Sequence, residues 1–425
     1  MTIPELHHYF LQHRSISTDT RKIKPNSIFF ALKGENFNGN TYAKEALSKG
    51  AILAVVDEKL YADTKNTIVV EDVLTTLQKL AHYHRKQSKA KIISITGSNG
   101  KTTTKELLNT VLSKKYKTIA TVGNLNNHIG VPLTLLSITE ETEIAVVEMG
   151  ANHKKEIAFL CTIAEPDFGY ITNFGKAHLE GFGGMEGVIE GKSELYEYLT
   201  SNNKHVFLNA DDPIQIEKLG GYIQKFGFST TLKDYYNIEL LNTNPFVAVQ
   251  VEDTKINSQL IGTYNFTNCC AAIIMGKYFS IPLNSIKEAI ESYVPENNRS
   301  QIIEKKDCKI ILDAYNANPT SMKAALENFN KLKEDTKIVF LGDMFELGSS
   351  ASIEHQNIAD LAQELGFKKV YLIGAHFYET KTKLQQFKSF ATLKEFLEKN
   401  TIQKNACLLI KGSRGMALER ILDLI

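Results

Sequence analysis

The chain has almost no net charge. Lysine and arginine number 49 and aspartate and glutamate 48, a formal balance of +1. That balance gives no global field for nucleic acid or for an anionic membrane surface, so neither partner is expected. Long apolar runs are missing too. Nothing approaches the roughly 18 consecutive apolar residues that a bilayer span needs, so no membrane insertion is expected. The opening MTIPELHHYFLQHRS holds no apolar core of the kind a secretion leader carries. The cysteines Cys161, Cys269, Cys270, Cys308 and Cys407 form no C-x-x-C pair. They read as reduced core thiols, not as a disulfide frame or a zinc site. Internal repeats and low-complexity segments are also lacking. A cytoplasmic location and a monomer are expected.

A chain of 425 residues is too long for one core and suggests about two or three domains. Residues 1–88 hold short strand-like runs, SIFFAL (27–32) and AILAVV (51–56), separated by the turn-rich KGENFNGN. A polar helical segment, QKLAHYHRKQSKA, reads as a linker to the next unit. From Lys91 the texture changes. KIISIT is a compact apolar run, followed by a glycine loop and the helical pattern KELLNTVLSKKY. Further apolar strands are EIAVVEMG (143–150), FGYITNF (168–174) and HVFLNADD (205–212). Strands alternating with helices predict a mostly parallel α/β sheet. Near residue 299 the pattern restarts with KIILDAY (309–315), KIVFLGD (337–343), KVYLIGA (369–375) and CLLIKGS (407–413). Asn318 and Pro319 offer a cap and a first-turn proline ahead of SMKAALENF. The expected class is α/β, with an N-terminal unit at 1–88, a central unit at 89–297 and a doubly wound C-terminal unit at 298–425.

The stretch SITGSNGKTTTKE, residues 94–106, carries the most chemistry. A phosphate loop brings backbone N–H groups to an anion at a helix N-terminus. Small residues allow the approach, a lysine reaches the terminal phosphates, and the next hydroxyl binds magnesium. Gly97, Gly100, Lys101 and Thr102 supply these parts between a predicted strand and a predicted helix. The spacing departs from the usual G-x-x-x-x-G-K-[ST], because only Ser98 and Asn99 separate the two glycines. The plain alternative is a tight turn with a surface lysine. Glu148 ends the strand EIAVVEMG, a position suited to holding Mg²⁺ beside such a loop.

The shortened loop T-G-S-N-G-K-T-T resembles that of the Mur ligases and folylpolyglutamate synthetases, which use ATP to join a carboxylate to an amine. The resemblance runs over essentially the whole chain. Within the Mur ligase family, GNLNNHIGVPLTLL (123–136), DAYNANPTSM (313–322), LGDMFELG (341–348) and KGSRGM (411–416) are similar to the branch that adds D-alanyl-D-alanine. The resemblance implies ATP and Mg²⁺ as cofactors. ATP would meet Gly97, Ser98, Asn99, Gly100, Lys101, Thr102 and Thr103. The segment IGTYNFTNCCAAI would add Asn265 and Asn268 as adenine contacts, with Tyr264 standing where the family commonly has histidine. Arg299 matches a hinge arginine for the γ-phosphate, and Asp313 a ribose-binding aspartate. His178 matches a second-metal histidine. Lys192 matches the lysine that, when carbamoylated, helps hold magnesium. The implied catalytic set is Lys101, Glu148, His178, Lys192 and Arg299, and the metal set is Thr102, Glu148, His178 and Lys192.

The substrates are implied in the same way. STDTRKIKPNSIFFALKGENFNGNTYAKEAL resembles the region that binds the UDP end of a muramoyl substrate, with Thr20 replacing a serine and Arg21 matching. FNGN stands where F-D-G-H is common. Thr121, Asn124, Asn126 and Asn127 are candidates for its sugar-phosphate part. Asn316, Asn318, Lys411, Ser413 and Arg414 fall at C-terminal ends of predicted strands, where open sheets bind ligands. They are candidates near the incoming dipeptide or the tripeptide carboxylate, and Lys411 or Arg414 suits a carboxylate. His355 matches a family histidine without an assigned role. The expected activity is an ATP-dependent ligation of UDP-N-acetylmuramoyl-tripeptide with D-Ala-D-Ala. The branch that adds the third peptide residue is the alternative, but its D-N-P-R motif is absent. A nucleotide switch of another class would hydrolyse ATP without either substrate.

Overall fold

The computed structural model describes residues 1–62, 65–296 and 298–425. Asn297, where the sequence places the end of the central unit, lies outside them. A capping box starts the chain. Thr2 Oγ1 accepts the Glu5 N–H, Glu5 returns a bond to the Thr2 N–H, and Pro4 occupies the first turn of the helix Ile3–His13. Strands Ile16–Ser17, Ile28–Phe30, Leu53–Val56 and Thr67–Val69 then form a parallel sheet in chain order. The helix Val73–Gln87 follows. The sequence suggests a polar linker there, but the structure makes it a packed joint. Val73, Leu77, Leu80, Ala81 and His84 recur at helical spacing and are buried. They set the helix against Ile3–His13 in the first unit and against Gly130–Leu136 and Glu156–Ala164 in the second.

The central unit is a parallel sheet of seven strands. Their order is Tyr236–Asn237, Lys225–Ser229, His205–Asn209, Phe168–Ile171, Lys91–Thr96, Ile144–Glu148 and Thr118–Ala120. Helices cover both faces, so the middle strands read as unbroken apolar runs. From Lys91–Thr96 the chain passes to the far edge at Thr118–Ala120, returns through Ile144–Glu148, and then crosses to Phe168–Ile171. This reversal opens a crevice beyond the C-terminal ends of the strands. Helix Tyr264–Tyr278 is apolar on nearly every side and lies buried against Lys101–Leu112. The strands Thr118–Ala120, Lys225–Ser229 and Tyr236–Asn237 are not among those the sequence predicts. Nor is the antiparallel sheet Glu239–Asn242, Phe246–Val251 and Thr254–Ile261. Most of these strands are short or mix apolar with polar residues; Phe246–Val251, FVAVQV, is the apolar exception.

The C-terminal sheet runs Gln301–Lys305, Cys308–Asp313, Cys407–Lys411, Lys337–Gly342, Lys369–Ile373 and Gln385–Phe387. Only the first strand is antiparallel to its neighbour. The late strand Cys407–Lys411 inserts between Cys308–Asp313 and Lys337–Gly342, so Asp313, Lys411 and the Gly342–Asp343 turn share one edge. All five cysteines are buried. No helix among the described residues is long and apolar enough to cross a membrane.

Candidate active site

The phosphate loop occupies the first turn after the central strand. Gly97 has φ +135° and Gly100 has φ +81°, both in the region that favours glycine. A Cβ at Gly97 would lie 2.0 Å from Thr172 Oγ1, and one at Gly100 would lie 2.5 Å from Asn268 Oδ1. The next strand's end stitches the loop in place. Asn173 Oδ1 accepts the Asn99 N–H at 3.1 Å, Thr172 Oγ1 donates to Asn99 O at 2.6 Å, and Ser98 Oγ donates to Gly175 O at 2.9 Å. Helix Lys101–Leu112 starts directly after Gly100. Lys101 folds back on its own loop, with Nζ donating to Gly97 O at 2.7 Å and Ser98 O at 3.2 Å. Burial lowers its pKa, opposed by the charge of Glu148.

Glu148 is buried at the end of its strand and held on every side. Thr102 Oγ1 donates to Oε2 at 2.9 Å and Asn126 Nδ2 donates to Oε1 at 2.8 Å. Its own N–H donates to Thr121 Oγ1 at 2.9 Å. The ammonium of Lys105, also buried, donates to Thr121 O at 2.7 Å and lies 4.0 Å from Glu148 Oε2. A hydroxyl and a carboxylate 2.9 Å apart at the mouth of a phosphate loop fit a hard divalent cation. Among the described residues no three His, Cys, Asp or Glu side chains converge as a complete cage. Mg²⁺ suits such a site, since it keeps waters and takes further oxygens from phosphates.

A cleft of about 890 Å³ gathers residues from the central and C-terminal units. It is lined by Ser98, Asn99, Gly100, Lys101, Thr102, Thr103, Asn124, Asn126, Asn127, Glu148, His178, Asn265, Asn268, Arg299, Asp313, Asn316, Asn318 and Lys411, all candidates from the sequence. Asn265 and Asn268 are tied together, Asn268 Nδ2 donating to Asn265 Oδ1 at 2.8 Å, and Thr104 Oγ1 donates to Asn268 Oδ1 at 3.0 Å. Arg299 stacks its guanidinium 3.5 Å above the Tyr315 ring, and its buried Nε–H has no partner among the described residues. That orphaned donor beside the loop suits a phosphate oxygen. Asp313 accepts from Lys411 Nζ at 2.5 Å and from the Ser300 N–H at 3.2 Å. Asn318 has two duties. It caps helix Pro319–Lys331 through Ser321, and its Nδ2 donates to Asn99 Oδ1 of the phosphate loop at 2.7 Å. His178 Nδ1 pairs with Glu346 across the two units, which holds the Glu346 carboxyl below its ordinary range.

Other candidates lie outside this lining. Lys192 is fully buried, donates to Ala151 O at 2.9 Å and sits 4.8 Å from the Phe182 ring centroid. Burial drives its pKa far down, helped by the nearby Lys101 charge. Gly97 and Thr121 stand behind the lining as supports of the loop and of Glu148. Ser413 is buried and accepts the Phe345 N–H at 3.0 Å. Arg414 faces solvent and pairs with Glu419 at 3.0 Å. Thr20 and Arg21 lie in the N-terminal unit, where exposed Arg21 pairs with Asp19 at 2.8 Å. His355 gains a structural role. Buried and neutral, it accepts the Met344 N–H at Nε2 and donates from Nδ1 to Ala351 O, which fixes the loop after Gly342. Thr172, Asn173, Lys105 and Tyr315 were not singled out from the sequence. Thr172 and Asn173 lie in the C-terminal part of a predicted strand, FGYITNF, and Tyr315 lies inside DAYNANP, so position alone could have flagged them.

The fold and cleft define a nucleotide-binding α/β protein whose site closes between two sheets. Sequence comparison sharpens that class. The Mur ligase family catalytic domain matches residues 13–95, the Mur ligase middle domain 95–276, and the Mur ligase glutamate ligase domain 298–414. The UDP-N-acetylmuramoyl-tripeptide--D-alanyl-D-alanine ligase of Bacillus subtilis is 34% identical over 96% of this chain and 93% of its own length. The Escherichia coli ligase of the same name is 31% identical over 96% and 92%. A MurF crystal structure from Acinetobacter baumannii superposes with a TM-score of 0.85 at 32% identity, covering 96% of this chain and 93% of that one. MurF from Thermotoga maritima in complex with ADP gives 0.84 at 26% identity, covering 97% of each. The chain belongs to the Mur ligase family.

Proposed function

We propose that this chain is an ATP-dependent ligase that joins the terminal carboxylate of a UDP-N-acetylmuramoyl tripeptide to the amine of D-alanyl-D-alanine, releasing ADP and phosphate. It acts in the cytoplasm, as a monomer, in peptidoglycan precursor synthesis. The observation that carries the reading is the convergence on one cleft of the phosphate loop, the Thr102–Glu148–Asn126 network, and Arg299, Asp313 and Lys411 from the C-terminal unit. Similarity to relatives of that name over nearly the whole chain supports the substrates.

The chemistry follows from charge. A carboxylate oxygen attacks the γ-phosphorus of ATP, the bond to ADP breaks, and an acyl phosphate forms. The dipeptide amine then attacks the acyl carbon. The tetrahedral adduct expels phosphate and the nitrogen loses a proton, leaving an amide. Two anions must approach one another, so cations and N–H donors have to converge there. Lys101 exchanges its two loop carbonyls for phosphate oxygens, and Arg299 offers its free Nε–H. Thr102 and Glu148 would hold Mg²⁺, which supplies further charge neutralisation. Asn265 and Asn268 present amides to the base, and Asp313 a carboxylate to the ribose. The depressed pKa of Lys192 favours its uncharged amine, the form that combines with CO₂ to give a carbamate. Docking of the C-terminal unit shuts water away from the acyl phosphate.

The test is phosphate release from ATP with UDP-MurNAc-tripeptide, with and without D-Ala-D-Ala, plus mass analysis of the product. Release that depends on the dipeptide, with a product heavier by one D-alanyl-D-alanine unit, is the expected result. Hydrolysis indifferent to both substrates would sink the reading.

A further inference from the structure

The loop that carries Lys176 touches two units at once. On one side it is stitched to the phosphate loop through Thr172, Asn173 and Gly175. On the other, the Lys176 N–H donates to Thr320 Oγ1 at 3.0 Å and its Nζ donates to Glu354 Oε1 at 2.6 Å. Thr320 and Glu354 belong to the C-terminal unit. Glu354 has a side chain only 9% exposed, and Lys176 is its one ion-pair partner among the described residues. Its titratable neighbour His355 is neutral.

A carboxylate that deeply buried is costly without a counter-charge. Glu354 finds its counter-charge only across the seam between units. Docking supplies that counter-charge, and undocking takes it away. Docking is also what brings Arg299, Asp313 and Lys411 to the phosphate loop, so the pair acts on the geometry of the reaction without touching any reacting atom. We propose that Lys176 and Glu354 are positioning residues: a charged clasp that sets the docked arrangement in which transfer occurs. The inference rests on the ligase reading above for its kinetic consequence, and on geometry alone for its structural one.

Loss of either partner is expected to cut kcat on the order of tenfold, because small misplacements of reacting groups are expensive. The KM for ATP is expected to rise as well, because Arg299 and Asp313 reach the nucleotide only in the docked arrangement, while the phosphate loop keeps its own supports. The experiment is a double-mutant cycle in the full chain. Lys176→Met, Glu354→Gln and the double variant are compared with Lys176→Arg, which keeps the charge. The readouts are kcat, the KM for ATP, and the radius of gyration by X-ray scattering without substrates. The clasp predicts that both single variants slow turnover and expand the molecule, that the double is no worse than the poorer single, and that Lys176→Arg stays near the parent. Singles that leave kcat and size unchanged, or effects that multiply in the double, overturn it. Scattering reads the clasp whatever the reaction is. An inactive parent enzyme would therefore refute the ligase reading without touching this one.

Discussion

At the residue scale, the site depends on positions where a single atom decides. Gly100 opens the helix that receives phosphate, with φ +81° and with Asn268 pressed against it. Gly100→Ala adds a Cβ into that contact and strains the backbone as well. ATP binding is expected to weaken by at least about tenfold with the overall fold intact, because the loss is local. Calorimetric titration with circular dichroism checks both halves, and ATP affinity equal to the parent's would contradict the argument. Lys101, Thr102 and Glu148 were legible in the sequence, because a loop between a strand and a helix, and a carboxylate at a strand end, each have a fixed geometric meaning. The support of that loop was not. Asn173 brackets the N–H and the C=O of Asn99, Lys105 reaches the carbonyl of Thr121, and no residue pattern announces such bonds to the backbone. Asn318 shows the limit from the other side. Its role as a cap could be read from Asn-Pro, but its bond to Asn99 joins residues 219 positions apart.

At the element scale, helices and parallel strands with continuous apolar texture were foreseeable. Lys91–Thr96 and Cys407–Lys411 are buried on both faces and leave no ambiguity. Short edge strands such as Tyr236–Asn237 have no such signal. The helix Val73–Gln87 looked polar because its buried stripe is narrow and includes a histidine. His84 meets His7 of the first helix, Nε2 of His7 lying 2.9 Å from Nδ1 of His84, while His84 Nε2 bonds Ile138 O. The pattern fits two neutral rings, His7 donating to His84 and His84 donating to the carbonyl. Burial and the neighbouring His84 and Arg14 lower the His7 pKa from 6.5 to about 4, and burial lowers that of His84. Since the folded values lie below the unfolded ones, the unfolded chain binds more protons in this range. Stability is therefore fully present above about pH 6.5 and is lost as pH falls towards 4. For His7 the loss reaches up to about 3 kcal/mol. The melting temperature should fall over that window. His7→Gln, which keeps a donor without a titrating ring, should flatten the fall. An equally steep profile in the variant would place the acid sensitivity elsewhere.

At the scale of the whole molecule, the division into three units was readable from changes in texture, and the joints between them were not. A joint is made of contacts between residues far apart in sequence, which composition cannot encode. The first joint has an apolar centre. Leu80 is fully buried where helix Val73–Gln87 meets both the N-terminal and the central units. Leu80→Ala should cost about 3 kcal/mol, the usual price of a cavity at such a site. If the joint is as solid as its packing implies, scanning calorimetry will show the transitions of both units moving down together. A shift confined to the N-terminal unit would mean the helix behaves as a tether. The second joint, between the central and C-terminal units, adds a set of polar contacts. Among them are Asn99–Asn318, Lys176–Thr320, Lys176–Glu354 and His178–Glu346. Polar seams part and re-form more readily than apolar ones, which suits a cleft that must admit three ligands and release three products.

The five thiols have a practical consequence. Every one is inside the protein, and burial raises the pKa of Cys161, Cys269, Cys270 and Cys407, with the last pushed up to about 12. Maleimide dyes react with exposed thiolate, so the natural chain is close to silent towards them. A pair of cysteines introduced on the surface, one on each side of the second joint, can thus be tagged without first removing any native residue. The approach of the two units then becomes an optical distance, followed in real time on single molecules as they turn over.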